Sequence, residues 1–430
     1  MKRLNGIRLP MKRRAQEKQI TALPLPKLVR IPMLMHMGDA CVPTVKPDEY
    51  VYVGQMIGKP ESDAAVPVHA SVSGTVSVIS EYEMPDGTSV PCVEIVPDGQ
   101  QVIHPDCQPP KIANRQDLID AARNSGCVGL GGSGDLTYQK LSRAEKPAVL
   151  VLNGAECETC LASDLRMMLE NAEQILGGAA LIQKIMKIKD VRIGVQSSQP
   201  AAIRLLKEAA EQYKGITVCP LPPVYPQGEK RVLIYHTTGI VVPENKEPEE
   251  VGVLVLNVST CAFLYQYSQT GIPLVERIVS VDGNAVPKAC NLQVPIGTPV
   301  IDLLLYASCE LDLVKQIWCG GAMMGMSYPA FRASVTKQQN GLIALKNPKK
   351  ERTSGDCIRC GKCMRACPMN LIPTELDRAY ADRDIRKLIE LHAGICMNCG
   401  CCTYVCPAKR PLADNIQLAK ALLSNTRKEN

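Results

Sequence analysis

Near its C-terminal end the chain carries C-I-R-C-G-K-C-M-R-A-C-P from Cys357 and C-M-N-C-G-C-C-T-Y-V-C-P from Cys396. Each is a complete Cys-x2-Cys-x2-Cys-x3-Cys-Pro run, the spacing that holds 4Fe–4S clusters in pairs. A cubane cluster needs four thiolates. A tight loop supplies three of them, and the fourth crosses over from the other run. The spacing therefore predicts one cluster on Cys357, Cys360, Cys363 and Cys406, and a second on Cys396, Cys399, Cys402 and Cys367. Two zinc sites or a disulfide framework are the rival readings. Neither calls for the x2-x2-x3 run with its proline, given twice. Such clusters move one electron at a time, which raises the question of where electrons enter and leave.

A second stretch that could do chemistry is G-C-V-G-L-G-G-S-G-D-L-T-Y-Q-K, residues 126 to 140. Gly129, Gly131, Gly132 and Gly134 let backbone approach a phosphate with no Cβ in the way. Lys140 adds a point charge within reach of the same phosphate. A glycine-rich loop alone is as often a plain turn. Here it follows a helical pattern inside a strand–helix alternation, in a chain that also carries clusters. Where the electron donor is a hydride carrier, a flavin is needed to take two electrons together and release them singly.

The elements that must position these groups read as several domains, as a chain of 430 residues suggests. Residues 1–28 read as an irregular basic lead-in. Residues 29–110 hold short strands and turns, with V-K-P-D-E-Y-V-Y-V-G-Q-M-I-G and V-H-A-S-V-S-G-T-V-S-V-I resembling the two halves of a lipoyl- or biotinyl-like barrel-sandwich hybrid. Lipoylated barrels carry a lysine at the hairpin tip. Ala64 stands there, so a structural or docking module is expected. Residues 111–273 alternate helix and strand, predicting an α/β layer with a largely parallel sheet. A helix is expected to end at Gly126, a strand over P-A-V-L-V-L-N, and one long helix over D-L-R-M-M-L-E-N-A-E-Q-I-L-G-G-A-A-L-I-Q-K-I-M. Residues 274–345 return to short strands. Residues 346–430 hold a charged linker and the two cysteine runs, joined by a helix-like T-E-L-D-R-A-Y-A-D-R-D-I-R-K-L-I-E-L-H.

Composition narrows the classes. With two Phe and one Trp, the cores must be aliphatic. Eight of the 20 cysteines sit in the paired runs, and most of the rest serve as small hydrophobes. The net charge of +6 is mild. Lys2, Arg3, Lys12, Arg13 and Arg14, then Lys346, Lys349, Lys350 and Arg352, read as a solvated tail and a linker, with a docking surface for an acidic partner as the sharper alternative. No basic stripe interleaves with aromatics, so nucleic acid is not an expected partner. No run of 18 apolar residues predicts a membrane span, and the basic start does not read as a secretory signal. Free thiols and accessible clusters point to a reducing cytoplasm, such as that of an anaerobe.

From about residue 29 onward the chain resembles the RnfC family of electron-transfer subunits and, more distantly, the NADH-oxidising flavin subunit of respiratory complex I. The likeness rests on L-P-L-P, the barrel segment, V-G-L-G-G-S-G, L-N-G-A-E-C-E, Y-P-Q-G-E-K, L-N-V-S-T, P-I-G-T-P, C-G-G-A-M-M-G and both cysteine runs, in that order. The resemblance implies a multidomain α/β plus α+β protein: barrel-sandwich hybrid, α/β FMN/NADH domain, β-grasp (soluble-ligand-binding) domain and C-terminal dicluster ferredoxin-like domain. It implies FMN phosphate held by Gly129, Gly131, Gly132, Gly134 and Lys140. Asn153, Glu156 and Glu158 would line the flavin and nicotinamide pocket, with Tyr225, Gly228 and Glu229 on the nucleotide side and Asn257 on the flavin. NADH would deliver hydride to FMN, and single electrons would leave through the two clusters to a protein acceptor.

Two departures bear on this. The family pattern G-G-A-G-F-P-T is G-G-S-G-D-L-T here, so Asp135 brings a negative charge to the phosphate site. E-C-E-P is E-C-E-T-C, so Thr159 replaces a proline and Cys160 follows it. Cys157 and Cys160 are spaced as a dithiol, and a helix start near Asp164 would favour a Cys160 thiolate able to relay electrons. These changes resemble the PrdC branch, which implies a soluble acceptor, D-proline reductase, and a cytoplasmic location. The alternatives are a peripheral subunit at the inner face of the membrane in an ion-pumping Rnf complex, with Rnf subunits as partners, or a flavin-less iron–sulfur adaptor.

Overall fold

A computed structural model of the chain describes residues 4–10, 13–328, 333–347 and 353–428. The first body is antiparallel. One sheet runs in the order Val29–Pro32, Ser89–Pro97, Gly74–Glu83, Tyr50–Val51, and a second pairs Val42–Pro43, Met56–Lys59 and Val68–His69. In Gly74–Glu83 the first residues alternate buried and exposed, as a strand with one face on a core must. The tip at Ala64 is tied down by its own backbone, whose carbonyl accepts from Asp39 N at 2.9 Å.

The α/β layer holds a four-stranded parallel sheet in the order Ile216–Leu221, Asp190–Gln196, Val149–Gly154, Val253–Asn257. The helix before the glycine loop, Arg115–Asn124, starts with a reciprocal box between Asn114 and Asp117 and ends before Gly126 at φ +67°. The single long helix expected after the first strand is two, Ser163–Glu170 and Ala172–Met186. Asn171, at φ −132°, breaks it. The second half then lays Gly177 and Gly178 against Tyr265 and Cys261 of the helix Val258–Thr270, a contact any Cβ at Gly178 would destroy.

Residues 274–345 form the core of a six-stranded mixed sheet covered by the helix Val300–Tyr306. Glu276–Asp282 pairs antiparallel with Cys290–Pro295 and parallel with Gly341–Leu345, the β-grasp arrangement. The expected irregular lead-in is corrected here. Ile20–Ala22 is the edge strand of this sheet, parallel to Asn291–Gln293. Ile7 exchanges two backbone hydrogen bonds with Tyr225, at 2.9 and 2.8 Å. Nor are Arg13 and Arg14 a solvated tail: Arg13 is buried, and Arg14 forks onto Asp282 at 2.9 and 2.7 Å. Hydrogen-bonding capacity left at the sheet edge and in the β-grasp core decides this, and a charge count does not register it. Lys2, Arg3, Lys12, Lys349, Lys350 and Arg352 lie outside the described residues.

The cysteine runs sit in a small helical body of Lys362–Ala366, Pro373–Ala381, Ile385–Glu390, Cys401–Val405 and Leu412–Lys428. The joining helix is two, because Arg383 turns at φ +52° and Asp384 caps the second, accepting from Lys387 N at 2.9 Å. Among the described residues no helix is long and apolar enough to cross a membrane. Lys337 stands where three bodies meet. It is fully buried, and its ammonium donates to Pro67 O at 2.7 Å in the barrel and to Gly126 O at 2.9 Å before the glycine loop.

Candidate functional site

A cavity of about 820 Å3 opens between the C-terminal ends of the parallel strands and the β-grasp body. That is where open α/β sheets bind ligands. Gly129, Gly131, Gly132, Lys140, Asn153, Glu156, Glu158, Tyr225, Gly228, Glu229 and Asn257 all line it. The structure brings together residues more than a hundred positions apart.

The glycine turn is closed by Gly129 N to Asp135 O at 2.8 Å and Gly134 N to Gly129 O at 3.1 Å. Gly134 does not face the cavity. It serves the turn, at φ +65°, a region other residues avoid. Gly131 presses on the Asn257 amide. Asp135 bonds Lys140 at 2.7 Å, so the charge expected to repel a phosphate is met by the cation expected to attract one. Burial raises the Asp135 pKa, but Lys140, Lys230 and Ser133 outweigh it and hold it below the usual carboxylate range.

Asn257 and Glu229 are both helix caps. Asn257 Oδ1 accepts from Ser259 N at 2.8 Å, while its Nδ2 donates to Asp164 at 2.7 Å. The Glu229 carboxylate accepts from Arg231 N and Val232 N at 2.8 and 3.1 Å. Asn153 Nδ2 donates to Gly228 O at 2.8 Å, tying the strand end to the loop before the helix Lys230–Thr238.

Glu156 and Glu158 are engaged rather than free. Glu156 caps the helix Ser163–Glu170, accepting from Leu165 N at 2.9 Å and Asp164 N at 3.4 Å. Its pKa is raised, first by burial and then by the neighbouring Asp164. Glu158 accepts one amide on each oxygen, Met323 N at 3.0 Å and Met324 N at 3.1 Å, from a turn of the β-grasp body. Burial pushes its pKa up to about 7. The Arg13 guanidinium clasps the backbone carbonyls of both glutamates. Neither carboxylate is a free base in this arrangement.

The dithiol expectation does not carry over. Cys157 lines the cavity, where its sulfur accepts from Gln227 N at 3.4 Å, but Cys160 does not. It sits at φ +66° beside Thr159, and burial followed by Asp282 raises its pKa. The helix start meant to favour its thiolate spends its free N–H groups on Glu156.

Four groups have roles in the site that the sequence reading did not assign: Arg13, Asp164, Thr260 and the turn from Gly320 to Gly325. Thr260 Oγ1 accepts from Leu130 N at 2.9 Å and pins the glycine loop to the helix Val258–Thr270. Asn257 followed by Ser259 and Thr260 is a capping pattern, and it could have revealed that helix.

The two cysteine loops repeat in conformation as well as in spacing. Arg359 and Asn398 stand at φ +54° and +53°, Gly361 and Gly400 at +69° and +75°, each followed by a five-residue helix. Cys367, Cys396, Cys399 and Cys402 wall one small apolar pocket with Leu371 and Ile416. Cys363 and Cys406 pack together near Cys402, and Cys363 lies within electrostatic reach of Cys357 and Cys360. Among the described residues no three such side chains converge on a lone metal ion. Cys367 of the first run thus shares a pocket with three cysteines of the second, and Cys406 of the second run packs against Cys363 of the first, a crossover that fits a pair of cubanes. Tyr225 connects cavity and cysteines: its hydroxyl donates to Cys399 O at 2.8 Å, and its carbonyl accepts the Cys401 thiol at 3.8 Å.

Comparison with known proteins agrees with this architecture. An RnfC barrel-sandwich-hybrid domain matches residues 2–100, a Nuo51 FMN-binding domain residues 122–266, and a 4Fe-4S dicluster domain residues 356–409. A subunit of the Na(+)-translocating ferredoxin:NAD(+) oxidoreductase complex of Acetobacterium woodii is 36% identical over 414 residues, covering 94% of this chain and 93% of that protein. Its counterpart in the proton-translocating ferredoxin:NAD(+) oxidoreductase complex of Clostridium ljungdahlii is 33% identical, covering 85% and 81%. The counterpart in the ion-translocating oxidoreductase complex of Rhodobacter capsulatus is 34% identical, covering 95% and 80%. An NAD+-reducing [NiFe]-hydrogenase shares the fold over 72% of this chain and 63% of its own, with a TM-score of 0.51 at 16% identity. A barrel, an FMN domain and a two-cluster domain in this order, along nearly the whole length of these relatives, mean that the chain belongs to the RnfC family of flavin- and 4Fe–4S-dependent oxidoreductase subunits, related to the NADH-oxidising subunit of complex I.

Proposed function

We propose that this chain is the nicotinamide-handling subunit of an ion-translocating ferredoxin:NAD+ oxidoreductase complex, held at the membrane by partner subunits. The relatives favour this reading over delivery to D-proline reductase, since those that match along its length are named as one and the same component of ion-translocating oxidoreductase complexes. Flavin in the cavity would exchange hydride with NADH in pairs of electrons, and the clusters would carry electrons singly.

The chain's own residues bind, orient and insulate. The turn at Gly129, Gly131 and Gly132 offers bare backbone, and Lys140 offers charge shared with Asp135. Asn257 and Thr260 hold that turn against the sheet. Asn153 and Gly228 fix the opposite wall. Hydride transfer needs no protein base, which suits carboxylates already committed to backbone amides.

The observation that carries the proposal is Tyr225, which lines the cavity and hydrogen-bonds the Cys399 loop. It makes the Cys396–Cys402 loop the inner one. Anaerobic NADH titration is the test, following flavin and cluster absorbance together. Tyr225→Phe removes one hydrogen bond, worth about 0.5–1.5 kcal/mol. Cluster bleaching should slow relative to flavin bleaching by about two- to tenfold. Clusters that never bleach with NADH would overturn the reading. A native chain recovered wholly apart from membranes would overturn its membrane part.

A further inference from the structure

If Cys399 faces inward, the other loop faces out. Cys357 is exposed, and around it stand Ile358, Met364 and Tyr404, 67%, 43% and 48% exposed. The segments that carry these residues are neighbours. The helices Lys362–Ala366 and Cys401–Val405 pack on each other, and Gly355 N donates to Ala408 O at 2.9 Å, placing the 355–360 segment beside 408–410. Single exposed apolar residues need no explanation, but three around a solvent-facing cluster ligand do.

Charge gives the patch its sign. Arg359, Lys362, Arg365 and Lys409 are exposed on the same segments and the same short helix. None of the four has a carboxylate partner among the ion pairs of the described residues, whereas Arg410 beside them is bonded to Asp377 at 2.6 Å. Asp356 is the acid within these two segments. A chain of net charge +6 thus gathers much of its excess around one cysteine loop. An apolar centre with a one-sign rim is the anatomy of a transient electrostatically steered interface.

We propose that this face, centred on Ile358, Met364 and Tyr404 and rimmed by Arg359, Lys362, Arg365 and Lys409, docks an acidic one-electron carrier protein against the outer cluster. The inference rests on the function proposed above only in taking the outer cysteine loop as an exit or entry point for electrons.

The test measures binding, not turnover. The probe is a purified acidic two-cluster ferredoxin, titrated anaerobically into the full chain by calorimetry at low and high salt. Wild type should bind with a Kd that rises at least tenfold as salt is raised. The triple variant Arg359→Glu, Lys362→Glu, Lys409→Glu should weaken low-salt binding at least tenfold and flatten the salt dependence. About eight irons per chain in the variant shows that it folds and loads. Ile358→Ala should weaken binding with the salt slope intact. A triple variant within twofold of wild type, or wild-type binding that ignores salt, overturns the proposal. Equal loss of adhesion to anionic phospholipid vesicles, with ferredoxin binding unchanged, would also overturn it by assigning the face to a membrane. NADH-driven bleaching is recorded on the same preparations. Its absence alongside salt-sensitive ferredoxin binding would sink the proposed function and leave the docking face standing.

Discussion

At the scale of single residues, this site is built from side chains whose polar atoms are already spoken for. Glu156, Glu229 and Asn257 cap helices, Asn153 ties a strand end to the Gly228 loop, and Asp135 holds Lys140. Lys140 stood out in the sequence through the glycine turn beside it, whereas Asn153, Glu156, Glu229 and Asn257 were implied by the resemblance to the RnfC family. Their partners were not, since a cap is defined by the direction of a neighbouring helix. Asp135 shows the difference. In sequence it is a negative charge in a phosphate loop, while in three dimensions it forms a partly exposed ion pair. Such pairs are worth about 0.2–1 kcal/mol. Asp135→Asn should therefore tighten FMN binding to the apo chain by about two- to fivefold, measured by quenching of flavin fluorescence. Weaker binding would mean that Asp135 orients Lys140 productively.

At the scale of elements, the turn Gly320–Gly325 has an effect that its length does not suggest. Both oxygens of Glu158 hold its amides, and Met323 reaches the Gly400 turn of the inner cysteine loop. Glu158→Gln keeps the shape but turns one acceptor into a donor facing an N–H. Loss of a charge-assisted bond worth about 1.5–3 kcal/mol should speed hydrogen exchange at Met323 and Met324 by roughly ten- to a hundredfold, read by mass spectrometry. Unchanged exchange would show that the turn holds itself. Strand and helix alternation was readable because hydrophobic period survives without tertiary context. The breaks at Asn171 and Arg383 were not, because a helix bends or stops where packing pulls it.

At the scale of the whole molecule, the bodies are joined by buried polar contacts rather than by linkers alone. Lys337 donates to carbonyls of the barrel and of the glycine-loop helix from within the β-grasp body. Burial lowers its pKa from 10.5 to about 8. Between those values the unfolded chain keeps a proton that the folded chain sheds, so the Lys337 contribution to stability rises with pH across about 8 to 10.5. Lys337→Met leaves two buried carbonyls without their donor and should cost about 1–3 kcal/mol in chemical denaturation. The deficit should widen as pH climbs through that window. A variant as stable as wild type at every pH would show that water or backbone motion replaces the ammonium.

By itself the amino-acid sequence determined the paired cysteine runs of a two-cluster domain, the glycine turn and the order of the bodies. All of these depend on spacing within a few residues, where short loops leave the chain little freedom. Only the tertiary structure decided that Arg13 is a clasp, that Ile20–Ala22 closes a sheet, that Cys160 stands apart from the cavity and that Tyr225 reaches the inner cysteine loop. The decisive bonds join residues 165 positions apart, as in Met323 to Glu158, or 174 apart, as in Tyr225 to Cys399. Local pattern carries no record of such pairs, because their geometry exists only once the separate bodies have packed and excluded water.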